Sequence, residues 1–93
     1  MSEPKPIRWS PHAAQRLSEH KLNPAEVVET IRSPQFSVAS SPGRWVLMRL
    51  HRHPSLPQDT LIHVAIEETP DEIVVLTPHR ISKLRKYLKG LIP

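Results

Sequence analysis

Ser10-Pro11-His12-Ala13-Ala14-Gln15-Arg16-Leu17, followed after a short gap by Asn23-Pro24-Ala25-Glu26-Val27-Val28, is the stretch that sets the architecture of this chain. Ser10 offers a side-chain cap, and Pro11 stands at the first helical position, where its missing N–H costs nothing. Ala14, Gln15 and Arg16 favour the helix, and Ala13, Leu17 and Leu22 supply a thin apolar face. A helix from about Pro11 to His20 is expected. Asn23-Pro24 repeats the start signal, with Glu26 placed to reach back as in a capping box. Val27, Val28 and Ile31 form the stripe of this second helix. Ser33-Pro34 stops it, because a residue preceding proline avoids helical dihedrals.

Downstream the period changes from helical to alternating. Phe36 and Val38 mark a short strand, and Ser40-Ser41-Pro42-Gly43 a turn. Trp45 to His51 reads as a second strand, with Val46, Met48 and Leu50 on one face and Trp45, Leu47, Arg49 and His51 on the other. Arg52 to Asp59 holds two prolines and reads as a loop. Thr60 to Glu67 presents Ile62, Val64 and Ile66 on one face. Thr69-Pro70-Asp71 turns the chain into Ile73-Val74-Val75-Leu76-Thr77, which Pro78 is expected to end. Arg80 to Lys89 returns to helical spacing, with Ile81, Leu84 and Leu88 apolar and Gly90 as a C-cap. The expected fold is α+β: two N-terminal helices packed on a four-stranded antiparallel sheet, plus a basic C-terminal helix. Residues 1–8 form an extended lead-in, 9–80 the core and 80–90 the tail helix of a single domain.

Ninety-three residues leave room for a limited core, and a shallow cleft suits it better than a deep pocket. Thirteen Lys and Arg against nine Asp and Glu give a net charge of +4, which favours a polyanionic partner. The absence of cysteine removes disulfide scaffolds and thiolate chemistry and suits a reducing cytosol. With neither a membrane-spanning run nor a signal-peptide core, a cytoplasmic protein is expected.

The pattern Ser10-x-His12-Ala13-x-x-Arg16-Leu17, a gap, then Asn23-x-x-Glu26-Val27 resembles the domain-of-unknown-function family numbered 4258. Gly43-Arg44 and Val74-Val75-Leu76-Thr77 fit it as well, so the resemblance runs from about Trp9 to Arg80. That family is similar to RelE/ParE-type toxins, small domains with helices on an antiparallel sheet. The resemblance implies a RelE-like fold and a toxin of a toxin–antitoxin pair. Many such toxins cut RNA without metal, and the ParE branch inhibits a partner enzyme. Pro78-His79-Arg80 departs from the family, which usually has an aromatic residue close behind the threonine.

Metal-free RNA cleavage needs a proton carrier and cations for the phosphorane, and imidazole and guanidinium are those groups. His12 and Arg16, one turn apart on one helix face, with Thr77 to orient them, are the candidate catalytic residues. Arg44, His79, Arg80, Lys83, Arg85, Lys86 and Lys89 are the candidate nucleic-acid contacts, with Trp45 and Tyr87 available to stack on bases. The plainer alternative makes His12 a first-turn residue bonded to a strand and Arg16 part of a stabilising network. It leaves the tail a solvated amphipathic face. His51-x-His53 and His63 lack a carboxylate or thiol at ligand spacing, so no metal is expected, and no cofactor. The expected partners are RNA or the ribosome and an acidic antitoxin, with no membrane. The rival functions are a non-catalytic nucleic-acid- or protein-binding module and a ParE-like inhibitor.

Overall fold

A computed structural model describes residues 4–51 and 60–81. The elements run β1 (Ile7–Trp9), α1 (Pro11–Glu19), α2 (Pro24–Arg32), β2 (Phe36–Ser41), β3 (Arg44–His51), β4 (Thr60–Glu68) and β5 (Ile73–Ile81). The strands form a five-stranded sheet in the order β1-β5-β4-β3-β2, with β1 parallel to β5 and the other neighbours antiparallel.

This corrects the expected four-stranded antiparallel sheet with a tail helix. Ile7–Trp9, assigned above largely to an extended lead-in, is a fifth strand. Three residues carry no readable period, and the strand exists because β5 offers it an edge. The Ile73 amide donates to Pro6 O at 2.9 Å and the Ser10 amide to Val75 O at 3.1 Å. Arg8 adds a two-pronged contact to Glu72 at 2.9–3.1 Å, which holds that carboxyl below the usual carboxylate range. The second correction is that Pro78 does not end the last strand, which continues to Ile81. β1 pairs only with Ile73, Val74 and Val75, so at Pro78 the strand has a sheet neighbour on one side alone, where a missing N–H is tolerated. Arg80 and Ile81, expected to open the tail helix, are therefore strand. The remainder of that helix and the loop Arg52–Asp59 lie outside the described residues.

The helix starts follow the capping logic. Ser10 Oγ accepts from the Ala13 amide at 3.1 Å, and Asn23 Oδ1 from the Ala25 amide at 2.9 Å. The Glu26 carboxylate lies 3.7 Å from Nδ1 of His51. Ser10 Oγ also donates to Leu76 O at 3.3 Å, tying the cap to β5. Ser10→Ala should therefore cost about 1–2 kcal/mol, seen as a lower urea midpoint with an unchanged slope.

The helices cover one sheet face. Ala13, Leu22, Val27 and Ile31 meet Leu47, Ile62, Val64, Ile66 and Val75 in the core, with Ile7, Trp9, Leu17 and Ile73 packed against it. The opposite face is open in that no described helix packs against it. It carries Phe36 and Val38 of β2, Val46, Met48 and Leu50 of β3, and Leu61, His63 and Ala65 of β4, with Leu61 only 3% exposed. Gly43, at φ 78°, makes the β2–β3 turn, and its carbonyl takes the Glu68 amide at 2.7 Å. Among the described residues, no helix is long and apolar enough to cross a membrane.

Candidate functional site

α1 runs alongside the part of β5 that β1 leaves uncovered. Ser10 reaches Leu76 O, Arg16 Nε donates to Pro78 O at 3.2 Å, and Arg80 Nη2 donates to His20 O at 3.3 Å. Arg16 also places Nη2 3.1 Å from Nδ1 of His79. A guanidinium has donors only, so Nδ1 must accept; the proton of the neutral His79 ring then sits on Nε2, leaving one N–H to donate elsewhere.

A bulge in β5 decides what stands beside this pair. Ile66 is opposite Val75, but Ala65 is opposite Thr77, so Leu76 is the extra residue. The insertion shifts the pairing by one and exchanges the faces of every later residue. Thr77 and His79 thereby come to the open face, and His63 of β4 stands directly opposite His79. Without the bulge His63 would face Pro78. Burial, then the charge of His79, lowers the His63 pKa from its usual 6.5. His79 is lowered by burial first, then by Arg16 and His20.

Some cations on the described surface are paired with acids, and others, here Arg16 and Arg80 and elsewhere Lys21 and Arg32, are not. Arg8, Arg44 and Arg49 each face a carboxylate: Glu72 at 2.9 Å, Glu67 at 3.8 Å and Glu29 at 3.4 Å. Arg16 and Arg80 instead bond carbonyls and an imidazole, and among the described residues neither has an ion-pair partner. A cluster of donors and positive charge without an answering acid is suited to an anion, and to phosphate above all by the planar geometry of guanidinium.

Of the candidate residues, Arg16 and His79 come together, with Thr77 two residues before His79 on the open face; Arg80, opposite Ile62, falls on the helix-side face, where it bonds His20 O. His12 is exposed, and no hydrogen bond of its ring is found among the described residues. Arg44 is paired with Glu67, four residues along β4 from His63, or ~13 Å. Lys83, Arg85, Lys86, Lys89 and Tyr87 lie outside the described residues. Trp45, on the helix-side face, lines an open groove of about 280 Å³ with Ile31, Leu47, Ile66 and Ile73. His63 is the residue that sequence reasoning did not place in the site. Its signal was present in the alternation of β4, but pairing it with His79 required the bulge.

His51 belongs to a separate, buried constellation. Thr30 Oγ1 donates to Glu26 O at 2.8 Å and so accepts from His51 Nε2 at 2.9 Å. His51 Nδ1 lies 3.7 Å from Glu26 and 3.9 Å from Glu29. This network joins α2 to β3 on the helix-side face. His51 and His63 therefore stand on opposite sides of the sheet and cannot share a ligand. Among the described residues, no group of three or more His, Cys, Asp or Glu side chains is arranged to hold a metal ion.

The lowered His63 and His79 values set a sign for stability. Between the folded and unfolded values the unfolded chain binds more protons, so acid favours unfolding. Stability should fall as pH drops through 6.5, the ordinary imidazole value, while the loss of the Glu72 contribution begins lower, below 4.5. Urea midpoints measured between about pH 7.5 and about pH 5.5 should show this fall, and His63→Asn and His79→Asn should each flatten it.

Compared with protein-family models, curated proteins and solved structures, the chain matches none.

Proposed function

We propose that this chain binds and breaks RNA phosphodiesters without a bound metal, as a ribonuclease of toxin type. The observation that carries the proposal is Arg16, 3.1 Å from His79 and, like Arg80, without a carboxylate partner among the described residues. RNA brings its own nucleophile, so the protein need supply only a base, donors for the phosphorane and backbone attraction.

His63, whose lowered pKa keeps it neutral at pH 7, accepts the proton of the 2′-hydroxyl as the 2′-oxygen attacks phosphorus. The bond to the 5′-oxygen breaks, and that oxygen takes a proton from water, whose hydroxide in turn takes the proton held by His63 and restores the neutral base. A 2′,3′-cyclic phosphate and a 5′-hydroxyl result. Arg16 and the Nε2–H of His79 stabilise the charge on the non-bridging oxygens. The Thr77 hydroxyl supplies one further phosphate contact. Arg80, with Lys83, Arg85, Lys86 and Lys89, adds attraction to the RNA backbone that weakens with salt. An acidic antitoxin would compete for the same charge.

The test is incubation of the purified chain with single-stranded RNA in the presence of a chelator, the product ends being read by mass spectrometry. Cyclic phosphate ends that vanish in His63→Asn are expected. Salt-dependent binding without cleavage would replace this reading with the non-catalytic binding module. No binding even at low salt would sink it.

A further inference from the structure

The two edges of the sheet are treated differently. At the β1 edge the strand is three residues long, carries Arg8 and follows Pro4, Lys5 and Pro6. Charge, proline and shortness are the usual guards against edge pairing. Beyond β1, Ser10 and Arg16 occupy the rest of the β5 edge.

The β2 edge is less guarded: Pro34 and Pro42 flank it and an irregularity lies between Ala39 and Ser41, but the strand itself is longer and bears no charge. Phe36-Ser37-Val38-Ala39-Ser40-Ser41 holds no charged residue and no proline, and all six residues are exposed. Its open face shows Phe36, 59% exposed, and Val38, 53% exposed, next to Leu50, 38% exposed. Such a strand is a template for another strand, and its lack of charge makes it compatible with itself.

We propose that two copies of this chain pair antiparallel through β2, making one continuous sheet. The register follows from two requirements. A two-fold axis normal to the sheet keeps the open faces on the same side, so paired residues must share a face. The pairing should also lie within Phe36–Ala39, before the irregularity between Ala39 and Ser41. Centring on Ser37 or on Val38 meets both. Ser37 is preferred because it sets Phe36 of each copy opposite Val38 of the other, an aromatic beside a β-branched side chain, where Val38 as the centre would leave Phe36 unpaired within that stretch. The two apolar patches then merge across the axis. A contact of this size falls at the small end of specific interfaces, so the dimer should dissociate on dilution, with Kd in roughly the micromolar range.

The proposal is independent of the RNA reading and is tested on the full chain. Sedimentation equilibrium should show a reversible monomer–dimer equilibrium, with Val38→Lys weakening it at least about tenfold while the circular dichroism is unchanged. The chain has no cysteine, so Ser37→Cys introduces the sole thiol. On mild oxidation it should form a disulfide between copies, because directly opposite Cα atoms in an antiparallel pair lie about 4.5–5.5 Å apart. Ser41→Cys, far from the axis, should stay reduced. A chain that remains monomeric to hundreds of micromolar overturns the proposal. So does a dimer that survives Val38→Lys and leaves the Ser37→Cys thiol unlinked.

Discussion

His63→Asn is expected to lower RNA cleavage by roughly 10²–10⁴-fold, the usual contribution of a positioned general base. Asparagine keeps a planar polar group of similar reach on the open face, so the far-UV circular dichroism should not change. The loss should fall on turnover rather than on RNA affinity, because His63 carries no charge at neutral pH. His79→Asn should also lower turnover, by about 10²–10³-fold, the scale for losing one donor to a developing charge. Arg16→Ala should weaken both binding and turnover, since its guanidinium holds the His79 tautomer as well as offering charge. His12→Ala should change neither by more than about twofold, inside the range of a neutral surface substitution. Equal activity of the wild type and His63→Asn would dismiss the imidazole base; loss of activity in His12→Ala alone would move the chemistry back to α1.

The largest stability effect is expected at Ile62. Its side chain is 1% exposed, in the central strand β4 under the helices. Truncation to alanine removes buried methyl groups and leaves a cavity that flanking strands cannot close, at a cost of about 2–5 kcal/mol. A domain of this size has about 5–15 kcal/mol in total, so Ile62→Ala should bring the chain close to half unfolded or clearly lower its urea midpoint. Phe36→Ala makes the contrast. Phe36 is larger than Ile62 but 59% exposed at the outer edge of β2, so its truncation should leave the midpoint nearly unchanged in dilute solution. A small loss at Ile62 would mean that the core is not centred on β4.

The two histidine effects and the core effect arise from different levels of organisation, and they were not equally legible. α1 was expected at Pro11 to about His20 and spans Pro11–Glu19, and the second helix starts at Pro24 as its cap requires. β3 and β4 were expected with their alternation but not with the inward face named, and the faces holding Leu47 and holding Ile62, Val64 and Ile66 are the ones in the core. These elements are long enough for a period to repeat, and Ser10, Asn23 and the prolines give local stop and start signals. Arg16 and His79 were both named as candidates, though in separate roles and without a contact between them. His12 was given the leading role on its helical spacing to Arg16. Spacing on one helix, however, says nothing about which of the two residues the neighbouring strand will engage.

By itself, then, the sequence determined the starts of the two N-terminal helices and the alternation of the middle strands, because each depends on contacts within a few residues. Tertiary structure decided the rest. β1 exists only because β5 had a free edge, and β5 could run through Pro78 only because β1 ends at Trp9, opposite Val75. One extra residue, Leu76, turned Thr77 and His79 to the open face and set His79 against His63, sixteen residues away. A bulge is a choice between registers made by the packing of both strands, and no local property of Leu76 announces it. The face on which the chemistry stands was fixed by that choice.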